Sequence, residues 1–196
     1  MAIQDPEAIR ESMKKGAAAL RDASIPFALG GGLATWARGA PGVVHDVDFM
    51  VRPNDADTAL KALAESGMRT EHPPEGWLYK AYDGDVMIDV IFRPVGRDVD
   101  DDLLGRAEEM EVDAVFMKVM SVDDVMVTKL LALSEQDLDY ARVLEIARAL
   151  REQIDWEAVR QRTDDSPYAA AFFTLAEGLG VIGERRDEPH RDRHSG

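Results

Sequence analysis

The chain begins with apolar residues at helical spacing, and four of them share one predicted helix face: Ile9, Met13, Ala17 and Leu20. The Asp5-Pro6 pair before them is typical of a helix start, because aspartate caps free N–H groups and proline tolerates the first helical position. The pattern therefore predicts an amphipathic helix over residues 6–23.

Short apolar runs predict five strands within the first 120 residues, at 25–29, 46–51, 77–82, 86–92 and 113–120. Apolar residues at helical spacing predict two helices among these strands, at 33–38 and 54–66. The Asp83-Gly84 pair separates the third and fourth strands and is a hairpin signal. This part of the chain therefore has the outline of a mixed α/β region.

From Ser121 onward the apolar pattern is helical, and it predicts four helices at 122–134, 137–152, 155–162 and 168–179. Ser121 to Asp124 resembles a capping box, with aspartate in place of the usual Glu or Gln. We therefore predict an α+β (α/β) domain over 1–120 and a helical region over 121–183. The charged stretch 184–196 is predicted to be a disordered tail.

Composition narrows the possible environments and partners. The chain has no cysteine, which excludes disulfides and thiol catalysis, and it has no apolar run long enough to span a membrane. Its N-terminus lacks the pattern of a secretion signal, so we expect a cytoplasmic protein. The net charge of −15, from 38 acidic and 23 basic residues, disfavours nonspecific nucleic-acid binding and favours metal ions, cationic small molecules or a basic protein.

Three aspartates in predicted strands are candidate metal ligands. Asp46 and Asp48 are two residues apart, so a strand would project both carboxylates from one face. Asp89 interrupts the apolar run 86–92, where an unpaired carboxylate is unfavourable. If the two strands are neighbours, the three carboxylates form a cluster suited to two Mg²⁺ ions. Taken alone, each aspartate is more typical of a loop or an exposed sheet face; the ordered set together with the glycines is what favours a site.

Three consecutive glycines, Gly30 to Gly32, follow the strand at 25–29. Glycine lets a backbone approach a ligand closely, and the N–H groups of a following helix can face an anion. The same glycines are also consistent with an ordinary tight turn. Neither a Walker loop nor a complete G-x-G-x-x-G motif is present, because residue 35 is Thr35.

Taken in order, these motifs resemble the DNA polymerase β-like nucleotidyltransferase superfamily. The resemblance rests on three segments: Leu29 to Gly32, His45 to Phe49 and Ile88 to Val90. It implies a mixed sheet flanked by helices and followed by a helical region, with the catalytic domain in residues 1–120. It also implies transfer of a nucleoside monophosphate from an NTP to a hydroxyl group, with release of pyrophosphate.

The resemblance also implies roles for individual residues. Asp46 and Asp48 would bind two Mg²⁺ ions, and Asp89 would bind the catalytic ion and deprotonate or orient the acceptor. Gly31 and Gly32 would line the triphosphate. The chemistry agrees, because phosphoryl-type transfer depends mainly on positioning and on neutralisation of charge.

The second half of the chain is similar to the helical part of small bacterial members, including toxin enzymes of the AbiEii and MenT types and aminoglycoside nucleotidyltransferases. In that pattern Lys129 would contact the nucleotide phosphates, and Asp137 would be the functional aspartate, with Asp139 as its rival. Both aspartates are also consistent with helix capping. Arg38 is a candidate for contact with the triphosphate, as are two other basic residues near the motifs, Arg52 and Lys80.

Three functions are consistent with these features. The chain could be a toxin-like enzyme that modifies tRNA and is paired with an antitoxin protein. It could instead modify a small hydroxylated molecule, and its acidic character favours this reading. A third alternative is a catalytically inactive nucleotidyltransferase fold that serves as a binding partner.

Overall fold

The computed structural model describes residues 5–41 and 45–183, so the predicted tail 184–196 lies outside the described residues. Its strands are β1 (Phe27–Leu29), β2 (Asp46–Val51), β3 (Arg69–Glu71), β4 (Leu78–Asp83), β5 (Val86–Ile91), β6 (Glu108–Val112) and β7 (Val115–Val119). Its helices are α1 (Pro6–Asp22), α2 (Gly31–Ala37), α3 (Ala56–Glu65), α4 (Asp101–Arg106), α5 (Val122–Ala132), α6 (Tyr140–Leu150), α7 (Trp156–Arg162) and α8 (Pro167–Gly178).

The strands of the described residues form one mixed sheet in the order β3-β4-β5-β2-β1-β7-β6. Two neighbouring pairs, β2 with β5 and β1 with β7, are parallel, and the other pairs are antiparallel. The hairpin predicted at Asp83-Gly84 is confirmed, because β4 and β5 pair with Asp83 opposite Val86. The predicted α+β architecture, a mixed sheet flanked by helices, is confirmed.

Helix α1 packs against one face of the sheet. Asp5 caps it by accepting a hydrogen bond from the Glu7 N–H, as the sequence predicts. A glycine is needed where the helix meets the sheet, since a Cβ atom on Gly16 would lie 2.7 Å from the Phe49 ring. Helix α3 covers β4 and β5 on the same side of the sheet. The opposite face of β2 and β5 is therefore left for the aspartates.

Three elements were not predicted: β3, α4 and β6. All three are short, and the two strands lie at the edges of the sheet, where side chains stay polar. The edge strand β6, for example, carries Glu108, Glu109 and Glu111. Edge strands bury little apolar surface, so the sequence pattern is weak there.

The helices α5 to α8 form a second cluster of buried apolar side chains, separate from the cluster under the sheet. Each of these helices begins at a side-chain cap, provided by Ser121, Asp139, Asp155 and Ser166. Helix α6 starts three residues later than predicted, because Ser134 and Asp137 form a turn before it. Among the helices of the described ranges, none combines the length and apolarity needed to cross a membrane.

Candidate active site

One row of residues across the sheet carries most of the candidate chemistry. Lys80 on β4 lies opposite Asp89 on β5, and Asp89 lies beside Asp48 on β2. The row continues into the glycine turn, because the Gly30 N–H donates to the Asp48 carbonyl at 2.8 Å. The fold thus places a lysine, two carboxylates and the glycines side by side.

The three predicted aspartates converge. Because β2 and β5 are parallel neighbours, Asp46, Asp48 and Asp89 project from the same face. One oxygen of each carboxylate lies within 4.8 Å of an oxygen of the other two. This spacing is close enough for a shared divalent cation, and oxygen ligands of this kind suit Mg²⁺ or Mn²⁺. The geometry therefore fits a metal site.

The electrostatics of the cluster also fit a cation. Burial, together with the nearby carboxylates of Asp46 and Asp89, raises the pKa of Asp48 to about 7, although Lys129 and Lys80 act against the shift. Burial likewise raises the pKa of Asp89, partly offset by its hydrogen bond from Lys80. Carboxylates crowded in this way repel each other, and a bound divalent cation would relieve that repulsion.

Gly31 permits the close approach of the glycine turn to Asp48. Its φ of +53° lies in the left-handed region, and a Cβ atom there would lie 1.6 Å from the Asp48 Oδ2 atom. The neighbouring Gly30 also has little space around it, since an added Cβ atom would lie 2.6 Å from the Met50 Cε atom. These glycines therefore shape the aspartate site as well as forming a turn.

A cleft of about 630 Å³ opens beside the aspartates. Its lining is Gly31, Asp48, Met50, Glu75, Gly76, Trp77, Ile91, Arg93, Pro94, Val95, Gly96, Met120, Val125, Thr128, Lys129 and Ala132. Much of this wall is apolar, and Trp77 is 39% exposed. The volume is within the usual range for small-molecule sites.

Three polar lining residues were not predicted from the sequence: Glu75, Arg93 and Thr128. Glu75 and Arg93 lie in loops flanking β4 and β5, and Thr128 precedes Lys129 on α5. For Glu75 and Arg93 the available signal was their position just outside strands that carry candidate site residues; for Thr128 it was the neighbouring Lys129. Loops at the ends of strands commonly supply binding residues.

Lys129 reaches the cleft from α5. It lines the cavity and acts electrostatically on Asp48. No carboxylate in the described part of the chain lies within ion-pair distance of its ammonium group. Its charge is therefore available to an anion in the cleft.

The other predicted nucleotide contacts lie outside the cleft. Asp137 is exposed in the turn before α6, and its rival Asp139 caps that helix. Gly32 lies in the first turn of α2, where its carbonyl accepts a hydrogen bond from Thr35. The structure brings none of the three to the cavity wall.

Arg38 occupies a structural position. Its side chain is only 5% exposed, and its guanidinium donates to the Met120 carbonyl at 3.0 Å and to Glu108 at 3.2 Å. These contacts fasten the end of α2 to β6 and to Met120 at the end of β7; Met120 lines the cleft, whereas Arg38 itself does not. Arg52 is similarly engaged, with Asp55 and Asp101.

Comparison with known proteins shows the family of the chain and solved structures with a similar fold. A family model described as an uncharacterised nucleotidyltransferase matches residues 11–176. No curated protein matches the chain.

Two solved structures illustrate the shared fold. The chain is similar to ANT(2″)-Ia in complex with adenylyl-2″-tobramycin, with 16% identity over 85% of this chain and 97% of that one, and a TM-score of 0.60. It is also similar to an antigenic nucleotidyltransferase-like protein from Paracoccidioides brasiliensis, with 16% identity over 91% of each chain and a TM-score of 0.58.

Proposed function

We propose that this chain, which belongs to the family of uncharacterised nucleotidyltransferases, transfers a nucleoside monophosphate from an NTP to a hydroxyl group with the help of Mg²⁺. The observation that carries the proposal is the convergence of Asp46, Asp48 and Asp89 beside a cleft of suitable size. In this proposal residues 1–120 are the catalytic domain and 121–183 its helical complement.

The proposed reaction needs no reactant besides the NTP and the hydroxyl acceptor. The acceptor oxygen forms a bond to the α-phosphorus, the bond to the departing pyrophosphate breaks, and the hydroxyl proton passes to Asp89 or to water. Bound Mg²⁺, of which we propose two ions, would neutralise the phosphate oxygens. Asp46 and Asp48 would hold this charge in place, and Asp89 would orient the acceptor.

The cleft residues have complementary roles in this proposal. Lys129 is free to pair with the triphosphate, and Gly31 gives the backbone room to approach it. Gly32 would assist through its backbone, and Asp137 would act only if the turn before α6 closes on the nucleotide. We assign no nucleotide contact to Arg38, because its guanidinium is engaged elsewhere.

For the acceptor we favour a small hydroxylated molecule. The similar structure of ANT(2″)-Ia contains an adenylylated aminoglycoside, and the net charge of −15 would attract a cationic acceptor. The same charge disfavours tRNA, the acceptor of the toxin-like alternative. The apolar part of the cleft, including Trp77 and Met50, could accommodate the nucleotide base.

Label transfer tests this proposal directly. The protein is incubated with Mg²⁺ and each α-labelled NTP in turn, together with aminoglycosides or with total tRNA. We expect label in a small molecule and its loss in Asp48→Asn, whereas Asp102→Asn, which changes an exposed aspartate, should behave like the wild type. Label that persists in Asp48→Asn would contradict the assigned site.

The remaining alternatives predict different outcomes. Label in tRNA, with growth arrest on expression that a neighbouring antitoxin relieves, would support the toxin-like enzyme. Absence of any NTP–Mg²⁺ binding by calorimetry would support an inactive binding partner. The intact aspartate set argues against inactivity, because three crowded carboxylates without a cation destabilise a fold.

A further inference from the structure

Lys80 stands out because it is the only lysine in the described residues that forms an ion pair with a member of the aspartate cluster. Its Nζ atom lies 2.9 Å from the Asp89 Oδ1 atom, and the two side chains are only 21% and 10% exposed. The pairing follows from the fold, since Lys80 and Asp89 are directly opposite each other on β4 and β5. Lys80 is therefore part of the cluster and not a surface charge.

A second contact fixes the ammonium group. Its Nζ atom also lies 3.2 Å from the Met87 sulfur, and Met87 is the residue on β5 opposite Asp46. Lys80 thus sits along the edge of the cluster, and Asp46 acts electrostatically on it. Its position beside the carboxylates differs from that of Lys129, which faces the open cleft.

The two lysines therefore have different tasks. Lys129 has no carboxylate partner among the described residues and is available to phosphate, whereas Lys80 already neutralises Asp89. A divalent cation binding beside Asp89 would meet this ammonium group at short range, and the two cations would repel each other. A nucleoside triphosphate brings several negative charges and would offset that repulsion.

We propose that Lys80 is a counter-ion built into the metal site, which holds the Asp89 carboxylate through Oδ1 and opposes cation binding there until a nucleotide is present. The inference rests on the proposed function, because it concerns the same metal site. It makes full metal loading conditional on the nucleotide. In the absence of nucleotide, the Lys80 ammonium group partly neutralises the Asp89 carboxylate, as a bound cation would.

The test is a titration of the full chain with Mn²⁺ alone, in which free Mn²⁺ is measured by electron paramagnetic resonance. Lys80→Met removes the charge and keeps a long side chain, and Lys80→Arg keeps the charge. Lys61→Met is the matched control, since Lys61 is 74% exposed and forms its ion pair with Glu65 on its own helix. A second titration adds a non-hydrolysable NTP analogue.

Removing the positive charge should strengthen Mn²⁺ binding without nucleotide by about tenfold or more in Lys80→Met, because close like charges repel strongly at a partly buried site. Lys80→Arg and Lys61→Met should bind Mn²⁺ as the wild type does. The NTP analogue should strengthen Mn²⁺ binding much less in Lys80→Met than in the wild type. Equal Mn²⁺ affinity in Lys80→Met and Lys61→Met would overturn the inference.

Two further comparisons keep the result unambiguous. If Lys80→Met loses its cooperative thermal transition, Lys80→Gln replaces it, because glutamine removes the charge and can still donate to Asp89. Metal binding is measured without turnover, so the inference can stand when no NTP is transferred. Conversely, label transfer with an unchanged Mn²⁺ affinity in Lys80→Met would support the proposed function and reject the role of Lys80.

Discussion

The charged carboxylate of Asp48 destabilises the folded state in the absence of a cation. It lies close to Asp46 and Asp89, and burial together with these neighbours raises its pKa to about 7. A carboxyl whose folded pKa is raised contributes stability that is fully present below its ordinary pKa near 3.9. That contribution is lost as the pH rises through 7.

Asp48→Asn should therefore stabilise the metal-free protein at pH 8, by on the order of 2 kcal/mol, because it removes a charge from a crowded site. The gain should shrink as the pH falls toward 4, where the wild-type carboxyl is protonated. Urea unfolding in EDTA at several pH values measures this difference. Added Mg²⁺ should stabilise the wild type but not the variant, and a gain that is independent of pH would contradict the account.

Gly31 is required both for its backbone conformation and for the space that it leaves. Gly31→Ala should weaken Mn²⁺ binding, because the added Cβ atom would lie 1.6 Å from the Asp48 Oδ2 atom and displace that carboxylate. The matched control is Gly84→Ala, since Gly84 has a similar φ of +61° but no atom near its added Cβ.

Both substitutions should lower the free energy of unfolding by about 1–2 kcal/mol, because alanine is strained in the left-handed region. The overlap in Gly31→Ala should cost about 1–3 kcal/mol more. Calorimetric Mn²⁺ titration and urea unfolding give the two readouts. Normal Mn²⁺ binding in Gly31→Ala would show that the contact with Asp48 is not needed.

At the scale of elements, α5 links the helical region to the sheet. Asp124, which is buried, accepts hydrogen bonds from Arg106 at the end of α4, from Arg162 at the end of α7 and from Ser121 at its own cap. The same helix presents Lys129 to the cleft. The ion cluster around Asp124 therefore helps to position a candidate phosphate contact.

Asp124→Asn should lower the free energy of unfolding at pH 7 by roughly 2–4 kcal/mol, since it breaks a buried ion cluster. Burial opposes ionisation of Asp124, but the hydrogen bonds from Arg106, Ser121 and Arg162 outweigh it and lower the pKa. The stabilisation is therefore present above the ordinary pKa near 3.9 and is lost as the pH falls through the lower folded pKa.

Urea unfolding between pH 7 and pH 3 measures the effect of Asp124→Asn, with Glu145→Gln, an exposed position on α6, as the control. The variant and the wild type should approach each other in stability at the acid end. A constant difference between them at every pH would mean that the charge of Asp124 does not stabilise the fold.

The elements that the sequence predicted well are those with strong periodicity or a cap. The helix α1 and the strand β2 agree with their predicted ranges to within a residue or two, whereas β3, α4 and β6 were missed because they are short and polar. The ion pair between Lys80 and Asp89 could not be predicted, because it depends on the register of β4 against β5. The hydrogen bonds of Arg38 are to residues 70 and 82 positions away in sequence, which no local pattern predicts.

At the scale of the whole molecule, the candidate site lies where the sheet meets the helical region. Asp48 and Met50 on β2 line the same cleft as Val125 and Lys129 on α5. The order of motifs in the sequence was sufficient to predict the family, the fold and the convergence of the three aspartates. The sequence did not predict the apolar cleft wall, because its residues come from separate loops and from both parts of the chain.

The most direct test of the central claim is a crystal structure with Mn²⁺ and a non-hydrolysable NTP analogue, with the metal identified by anomalous scattering. We expect two anomalous peaks about 3.5–4 Å apart, bound by Asp46, Asp48 and Asp89, with the triphosphate beside Lys129. Peaks elsewhere on the chain, or a nucleotide bound without metal at the three aspartates, would contradict it.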